Sequence, residues 1–386
     1  MAAVIADALI LLAKVVGVFA VLMVMVLLTV YVERKVVSWM QTRVGPNRVG
    51  PFGLLQSLAD GIKLFFKEDV RPAAADRVLY LVAPVVIMIP AFLSLTVIPF
   101  GTSFGGEPAQ LADLNVGLLF VLAMGSLQVY GLVLAGYASG SNYPLLGGIR
   151  SSAQMISYEI PQGLSLVGVF MYAGTLSARG IVDAQRDPLQ VGFLPDWLHL
   201  PGWYVIPQLP MFVVFLLAGL AETNRAPFDL PEAETELVGG YHTEYSGIRF
   251  ALFFLAEYLN MITVAAVATT VFLGGPDGPA FGFLPWLWPI VWFLLKVCAF
   301  LFLFIWLRAT LPRFRFDRLM AFGWKVLLPV ALLWIGVTGV VLAVDLAPAR
   351  TGLLAAAGVL VVLLLAITLA GPLTGRDRRA ARGAAT

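Results

Sequence analysis

Charge is what this 386-residue chain has least of: acidic and basic residues together make up 12%, against roughly 25% in an ordinary soluble domain. A soluble enzyme and a disordered chain are thereby excluded. Cysteine is nearly absent as well. The single Cys298 lies in an apolar run, and one thiol forms neither an internal disulfide nor an iron–sulfur cluster. The two histidines, His199 and His242, both fall in polar loops, which rules out a bis-histidine haem between spans. Neither a phosphate-cradling G-x-x-x-x-G-K-[ST] nor a G-x-G-x-x-G behind a strand occurs, so the chain alone is expected to bind neither nucleotide nor flavin. No metal site is expected. A net charge of +2 is too small to suggest a nucleic-acid partner.

Long apolar runs are what the chain has in abundance. Hydrophobic residues make up 60% and the mean hydropathy is +0.90. Crossing a bilayer takes about 20 apolar residues, and nine stretches qualify: 8–32, 78–100, 116–139, 153–175, 205–222, 249–273, 286–311, 323–343 and 352–371. The first is too long for a signal peptide and lacks a small-residue cleavage site, so it is read as a retained span. The fold class expected is all-α: a polytopic membrane bundle over 1–371, with a basic, disordered tail over 372–386.

Lysine and arginine set the orientation. Counted by segment, 20 fall on one side and only Arg179, Arg186 and Arg350 on the other, with Lys14 and Lys296 inside spans. The N-terminus is expected outside and the C-terminus in the cytoplasm, which makes 33–77 and 222–248 cytoplasmic loops.

The first loop opens on two Gly-Pro pairs over 45–51, which stiffen the chain and prevent a helix. Over 52–67, Leu54, Leu55, Leu58, Ile62, Phe65 and Phe66 form one helical stripe. Gln56, Asp60, Lys63 and Lys67 form the opposite one. The spacing predicts an amphipathic helix, either lying on the membrane surface or roofing a cavity between spans, with Arg34, Arg43 and Arg48 facing a polar headgroup or an acidic partner.

The second loop sets Glu222, Asp229, Glu232, Glu234, Glu236 and Glu244 against one base, Arg225. Asp229 and Pro231 look like a helix start and Gly239 like its end. Acids in a first turn suit the helix dipole without any further role, but that does not account for Glu159 and Glu257 at membrane depth. Crowded carboxylates repel and low dielectric disfavours their charge, so part of such a set holds protons near neutral pH. A proton relay requires this. A charge at mid-bilayer costs about 2.5–3.5 kcal/mol, so each needs a partner or a wet cavity. Pro161 frees a backbone carbonyl near Glu159. An ion pair of Glu257 with Lys296 is the structural alternative to a functional role, and Lys14 is read as structural. From the residues alone, a proton-linked transporter and the membrane anchor of a larger redox machine both remain open. The stiff loop and amphipathic helix favour the anchor.

Five segments together resemble a known family. They are 33–56 (ERKVVSWMQTRVGPNRVGPFGLLQ), 154–159 (QMISYE), 221–237 (AETNRAPFDLPEAETEL), 250–258 (FALFFLAEY), and 306–308 with 311–317 (WLR, LPRFRFD). In this order they resemble the H subunit of proton-pumping NADH:quinone oxidoreductase, respiratory complex I, whose mitochondrial counterpart is subunit 1 of NADH dehydrogenase. Trp39 and Pro231 depart from the mitochondrial pattern. The ninth span and basic tail, 345–386, lie beyond the mitochondrial core and are assigned no chemistry.

The resemblance implies a subunit joining the hydrophilic arm to the membrane arm, with spans two to six like half an antiporter. It implies a quinone tunnel framed by helix 52–67 and the first and sixth spans, lined by Arg34, Trp39, Arg43, Phe52, Asp60, Phe253 and Arg308. It also implies a proton relay through Glu159, Glu222, Glu232, Glu234 and Glu257. FMN and iron–sulfur clusters would sit in partner subunits, leaving no catalytic residue here. The Ala/Val/Arg-rich usage suggests a GC-rich bacterium and makes menaquinone the reasonable guess for the substrate. The related membrane subunits of membrane-bound hydrogenases and formate hydrogenlyase, and a free-standing proton-linked transporter, are the alternatives.

Overall fold

The computed structural model describes residues 2–101, 109–188, 201–229, 238–279, 284–344 and 351–366, and among these there is no β-strand. The helices are α1 (Ala2–Met40), α2 (Gln56–Phe66), α3 (Arg77–Ser94), α4 (Gly117–Ala138), α5 (Asn142–Ala173), α6 (Ala178–Ala184) and α7 (Leu209–Glu222). They continue with α8 (Gly247–Phe272), α9 (Leu287–Thr310), α10 (Phe316–Phe322), α11 (Leu328–Ala343) and α12 (Thr351–Ala366).

Six segments are long and apolar enough to cross a membrane, and α5 with α6 forms a further pair bent by 53°. The shorter apolar helices α7 and α12 complete nine segments in the order of the nine stretches read from the sequence. The tail 372–386, the acids Glu232, Glu234 and Glu236, and most of the helix expected over 229–239 lie outside the described residues.

Local chemistry explains most boundaries. Asp76 caps α3, its carboxylate accepting from the N–H groups of Val78 and Leu79 at 2.9 and 3.0 Å. Gly174 closes α5 with φ +69°, the left-handed C-cap that glycine takes without penalty. A π-turn over Gly323–Leu327 joins α10 to α11 and precedes Pro329, which has no N–H for a regular ladder.

Helices approach most closely where side chains are smallest. Gly136 of α4 lies against Gly148 of α5, and a Cβ at Gly136 would sit 2.7 Å from the Pro144 carbonyl oxygen. Small residues serve this purpose in membrane bundles, where dispersion rather than the hydrophobic effect drives helix pairing. α4 lies between α3 and α5, α5 packs on α7, and α8 packs against α3, α7 and α9. α1 runs along α9 at the edge of the bundle.

The amphipathic helix begins later than the stripe suggested. Residues 51–53 form a 3-10 turn, and α2 starts at Gln56. The Gly-Pro segment folds back on itself: Gly53 has φ +82°, and a Cβ there would lie 2.3 Å from the Pro46 carbonyl oxygen. Of the polar stripe of α2, Asp60 is paired to Arg34 of α1, whereas Lys63 and Lys67 are exposed. Leu58, Ile62, Phe65 and Phe66 are exposed.

At the end of the bundle away from α2, the ion pair of Lys296 with Glu257, the structural alternative weighed for these residues, does not form. The Lys296 ammonium donates instead to the backbone carbonyls of Leu273, Gly275 and Asp277 at 2.7, 2.9 and 2.7 Å. The helix α8 ends at Phe272, and the carbonyls just beyond it provide a ready site for a cation. Lys296 thus holds a loop, about four helical turns from Glu257 along α8.

Candidate functional site

The site begins on α1. Its buried residues are Leu22, Val26, Thr29 and Glu33, spaced four, three and four apart, which is one face of a helix. Glu33 therefore continues an apolar seam into the bundle. It accepts hydrogen bonds from the Tyr258 hydroxyl at 2.7 Å and Arg225 Nη1 at 3.3 Å, and is ion-paired with Arg308 Nη1. Glu33 was not singled out as a site residue in the sequence. The 4-3-4 spacing could have found it, but α1 is apolar on every side and the seam does not stand out.

Arg225 is the second link. Its Nε lies 2.8 Å from Glu257 Oε1 on α8, and its guanidinium stacks over the Tyr258 ring at 4.2 Å. Burial works against its charge, and Glu257, Tyr258 and Glu33 more than offset that and hold it protonated. Two glutamates and two arginines thus alternate: Glu257, Arg225, Glu33, Arg308. The set is neutral, the condition under which charges at low dielectric are tolerated.

The loop carrying Arg225 is clasped by α5. Gln154 Nε2 donates to the carbonyls of Ala221 and Phe228, each at 2.8 Å. Asn224 adopts φ +52°, a region that asparagine tolerates better than most residues, and its Nδ2 reaches Ser151 Oγ at 3.4 Å. α5 also carries Glu159, which accepts from Ser126 Oγ of α4.

Beyond Glu257 the bundle holds two small cavities. One, of about 20 Å³, is lined by Glu257, Glu222, Gln128 and Asn260 among others. The second, of about 30 Å³, is lined by Glu222, Gln128, Asn260 and Gln162 among others. Glu222 fills space left open by Gly125, where a Cβ would lie 3.1 Å from Glu222 Oε1. It lies within electrostatic reach of Glu159. The structure therefore brings Glu159, Glu222 and Glu257 into one polar tract.

On the other side, Glu33 and Arg308 open onto a larger cleft of about 450 Å³, lined also by Arg34, Ser38, Arg43 and the backbone turn at Gly45 and Pro46. Three expected tunnel residues, Arg34, Arg43 and Arg308, meet here. Asp60 reaches the cleft through Arg34, and Gln56 Nε2 donates to it at 3.0 Å. The Phe52 carbonyl accepts from the Tyr31 hydroxyl at 3.0 Å while its ring is exposed, as is Trp39. Phe253 lies apart from the cleft, buried between Tyr241 and Tyr245 with ring centroids 5.5 and 4.8 Å away, and lines the small cavity instead. Among the described residues no His, Cys, Asp and Glu cluster could hold a metal.

A cleft rich in guanidinium groups is thus joined, through alternating buried charges, to a row of carboxylates deep in the bundle. Sequence comparison matches residues 13–339 to the NADH dehydrogenase family. The H subunit of the NADH-quinone oxidoreductase of Frankia alni is 54% identical over 376 residues, covering 95% of this chain and 80% of the relative. Its equivalent in Thermomicrobium roseum is 58% identical over 313 residues, covering 80% of this chain and 89% of the relative. That of Frankia casuarinae is 53% identical over 375 residues, covering 95% of this chain and 80% of the relative.

Proposed function

The chain belongs to the NADH dehydrogenase family, and on that premise we propose that it is the H-type membrane subunit of a proton-pumping NADH:quinone oxidoreductase, offering quinone a path and passing the effect of its reduction to buried glutamates. It is a multi-pass membrane protein and part of an enzyme complex, with other subunits of that complex as partners. Its N-terminus faces outward and its C-terminus faces the cytoplasm of a bacterial plasma membrane.

The observation that carries the reading is the unbroken ionic chain from the cleft to Glu257. Arg34, Arg43 and Arg308 present N–H donors to a headgroup whose carbonyl oxygens accept. FMN and iron–sulfur clusters in the partner subunits supply the electrons, with menaquinone the expected acceptor. The work of this chain is to admit and orient the headgroup and to move charge. A change of charge in the cleft alters the field on Glu33 and Arg308. Because each buried charge is held by the next, the alternating set transmits that change to Glu257. Glu222 and Glu159 follow, with Glu232 and Glu234 supplying carboxylates from the adjoining loop. Spans two to six would then act as the half-antiporter that receives the proton.

The test is to purify the tagged chain in mild detergent with its partners and assay NADH oxidation driven by added quinone. A large assembly with inhibitor-sensitive quinone reduction supports the reading. One that evolves hydrogen without quinone activity points to the hydrogenase relatives. A chain that emerges alone and folded points to a transporter. Within an active assembly, Arg43→Ala should lower quinone reduction by about tenfold or more while NADH oxidation by ferricyanide persists. Equal loss of both activities removes Arg43 from the quinone path.

A further inference from the structure

Glu257 and Glu222 border the same small cavity but sit on different helices, and one pair of side chains lines both that cavity and the next. Asn260 of α8 donates through Nδ2 to Gln128 Oε1 of α4. Gln128 is buried, at 3% exposure. Neither amide can carry a proton as an acid or base. The mutual bond uses one donor and one acceptor, which leaves the Gln128 amide nitrogen and the Asn260 oxygen available to a third party.

The surroundings are built for such a party. The cavities measure about 20 and 30 Å³, and a water needs on the order of 10–15 Å³ by the same measure. Glu222 Oε2 and Gln162 Oε1 are shut off from solvent and have no hydrogen-bond donor among the described residues. Buried acceptors beside a cavity of that size call for water, because leaving them unmet costs their full desolvation.

We propose that Gln128 and Asn260 form a positioning pair that orders water between Glu257 and Glu222, so that a proton passes between these carboxylates only through water the two amides hold. This rests on the relay reading given above and assigns it a specific passage. The pair offers a donor on one side and an acceptor on the other. When a proton hops along a water chain every hydrogen bond reverses direction. Two facing amides can reset that direction by turning together, whereas an apolar pair could not.

The experiment uses inverted membrane vesicles containing the intact complex. NADH-driven proton uptake, NADH:quinone turnover and NADH:ferricyanide reduction are compared in Asn260→Leu, Gln128→Leu, the double exchange Gln128→Asn with Asn260→Gln, and Glu257→Gln as reference. Either leucine variant is expected to lower proton uptake and the kcat for quinone together by about tenfold or more. KM for quinone and ferricyanide reduction should be unchanged, and the solvent deuterium isotope effect on kcat raised. The double exchange should recover most of the rate. If Glu257→Gln abolishes pumping while both leucine variants pump normally with an unchanged isotope effect, the amide passage is overturned and the relay reading stands. If Glu257→Gln also pumps normally at normal electron flux, both fall. Should the leucine variants fail to assemble, cryo-microscopy of the unmodified complex at a resolution that shows water decides the matter. Ordered water within hydrogen-bond distance of Asn260 Oδ1 and Glu222 Oε2 is the result expected. Cavities closed by side chains would overturn the proposal.

Discussion

α1 and α8 each place one carboxylate in the same ionic chain, yet they are held in opposite ways. In α8, 61% of the apolar spanning window is buried inside the protein; in α1 the figure is 17%. α8 is fixed by packing along its length, with Leu259, Ala265, Ala268 and Val271 all within 1% of full burial. Among its described residues before Glu33, α1 buries only the seam Leu22, Val26 and Thr29, with Val18, Met25 and Val30 partly covered, and beyond the seam come the charged contacts of Glu33 and Arg34. A membrane helix can therefore be joined to a bundle by apolar packing or by buried charge. The helix joined by charge is also the one that lines the cleft.

The sharpest way to break this comparison is Glu33→Ala. Removing one partner of a buried pair leaves uncompensated charge and costs about 3–5 kcal/mol. Here Arg308 loses its carboxylate and Arg225 keeps only Glu257, so the detergent-extracted assembly should melt at a markedly lower temperature and lose quinone-linked turnover. An unchanged melting temperature would mean that α1 is held by something other than its charges. Leu259→Ala probes the packed helix next, at about 2–5 kcal/mol for a buried leucine. Its counterpart Leu28→Ala on α1, where the side chain is 45% exposed, should leave stability within about 0.5 kcal/mol of the parent, since hydrocarbon fills the space as well as a methyl group does. Equal losses at the two positions would erase the contrast. A small effect on stability is likewise expected of Asp60→Asn. Its bond to Arg34 lies at the surface and is worth under about 1 kcal/mol, so melting should barely move. A change in KM for quinone without a change in kcat would show that Asp60 steers Arg34 toward the headgroup rather than fastening α2.

What was legible in the sequence follows from what a bilayer demands. Six of the nine apolar stretches reappear as helices long and apolar enough to span, one as a bent pair and two as shorter apolar helices, because every backbone polar group in hydrocarbon must bond within its own segment. Arg34, Arg43 and Arg308 were legible as a set only through the family motifs, and the fold gathers them at one cleft. Phe253 was expected in the tunnel and lies among aromatic rings away from that cleft. It was placed there by its position in a family motif, which says nothing of the rings that surround it. The start of α2 was misjudged by four residues because the apolar spacing runs on through a turn forced by Gly50 and Gly53.

By itself the sequence determined the class, the order of the apolar helices, and which charges lie within them. Those depend on composition and period, which are local properties of the chain. Only the tertiary structure decided which charge meets which. It paired Glu257 with Arg225 rather than Lys296, turned Lys296 to the carbonyls beyond α8, and brought Glu33 from the far end of the chain to close the set. The physical reason is that a buried charge is stabilised by whatever opposite charge or dipole the packing brings within a few ångströms, and no spacing along the chain encodes that.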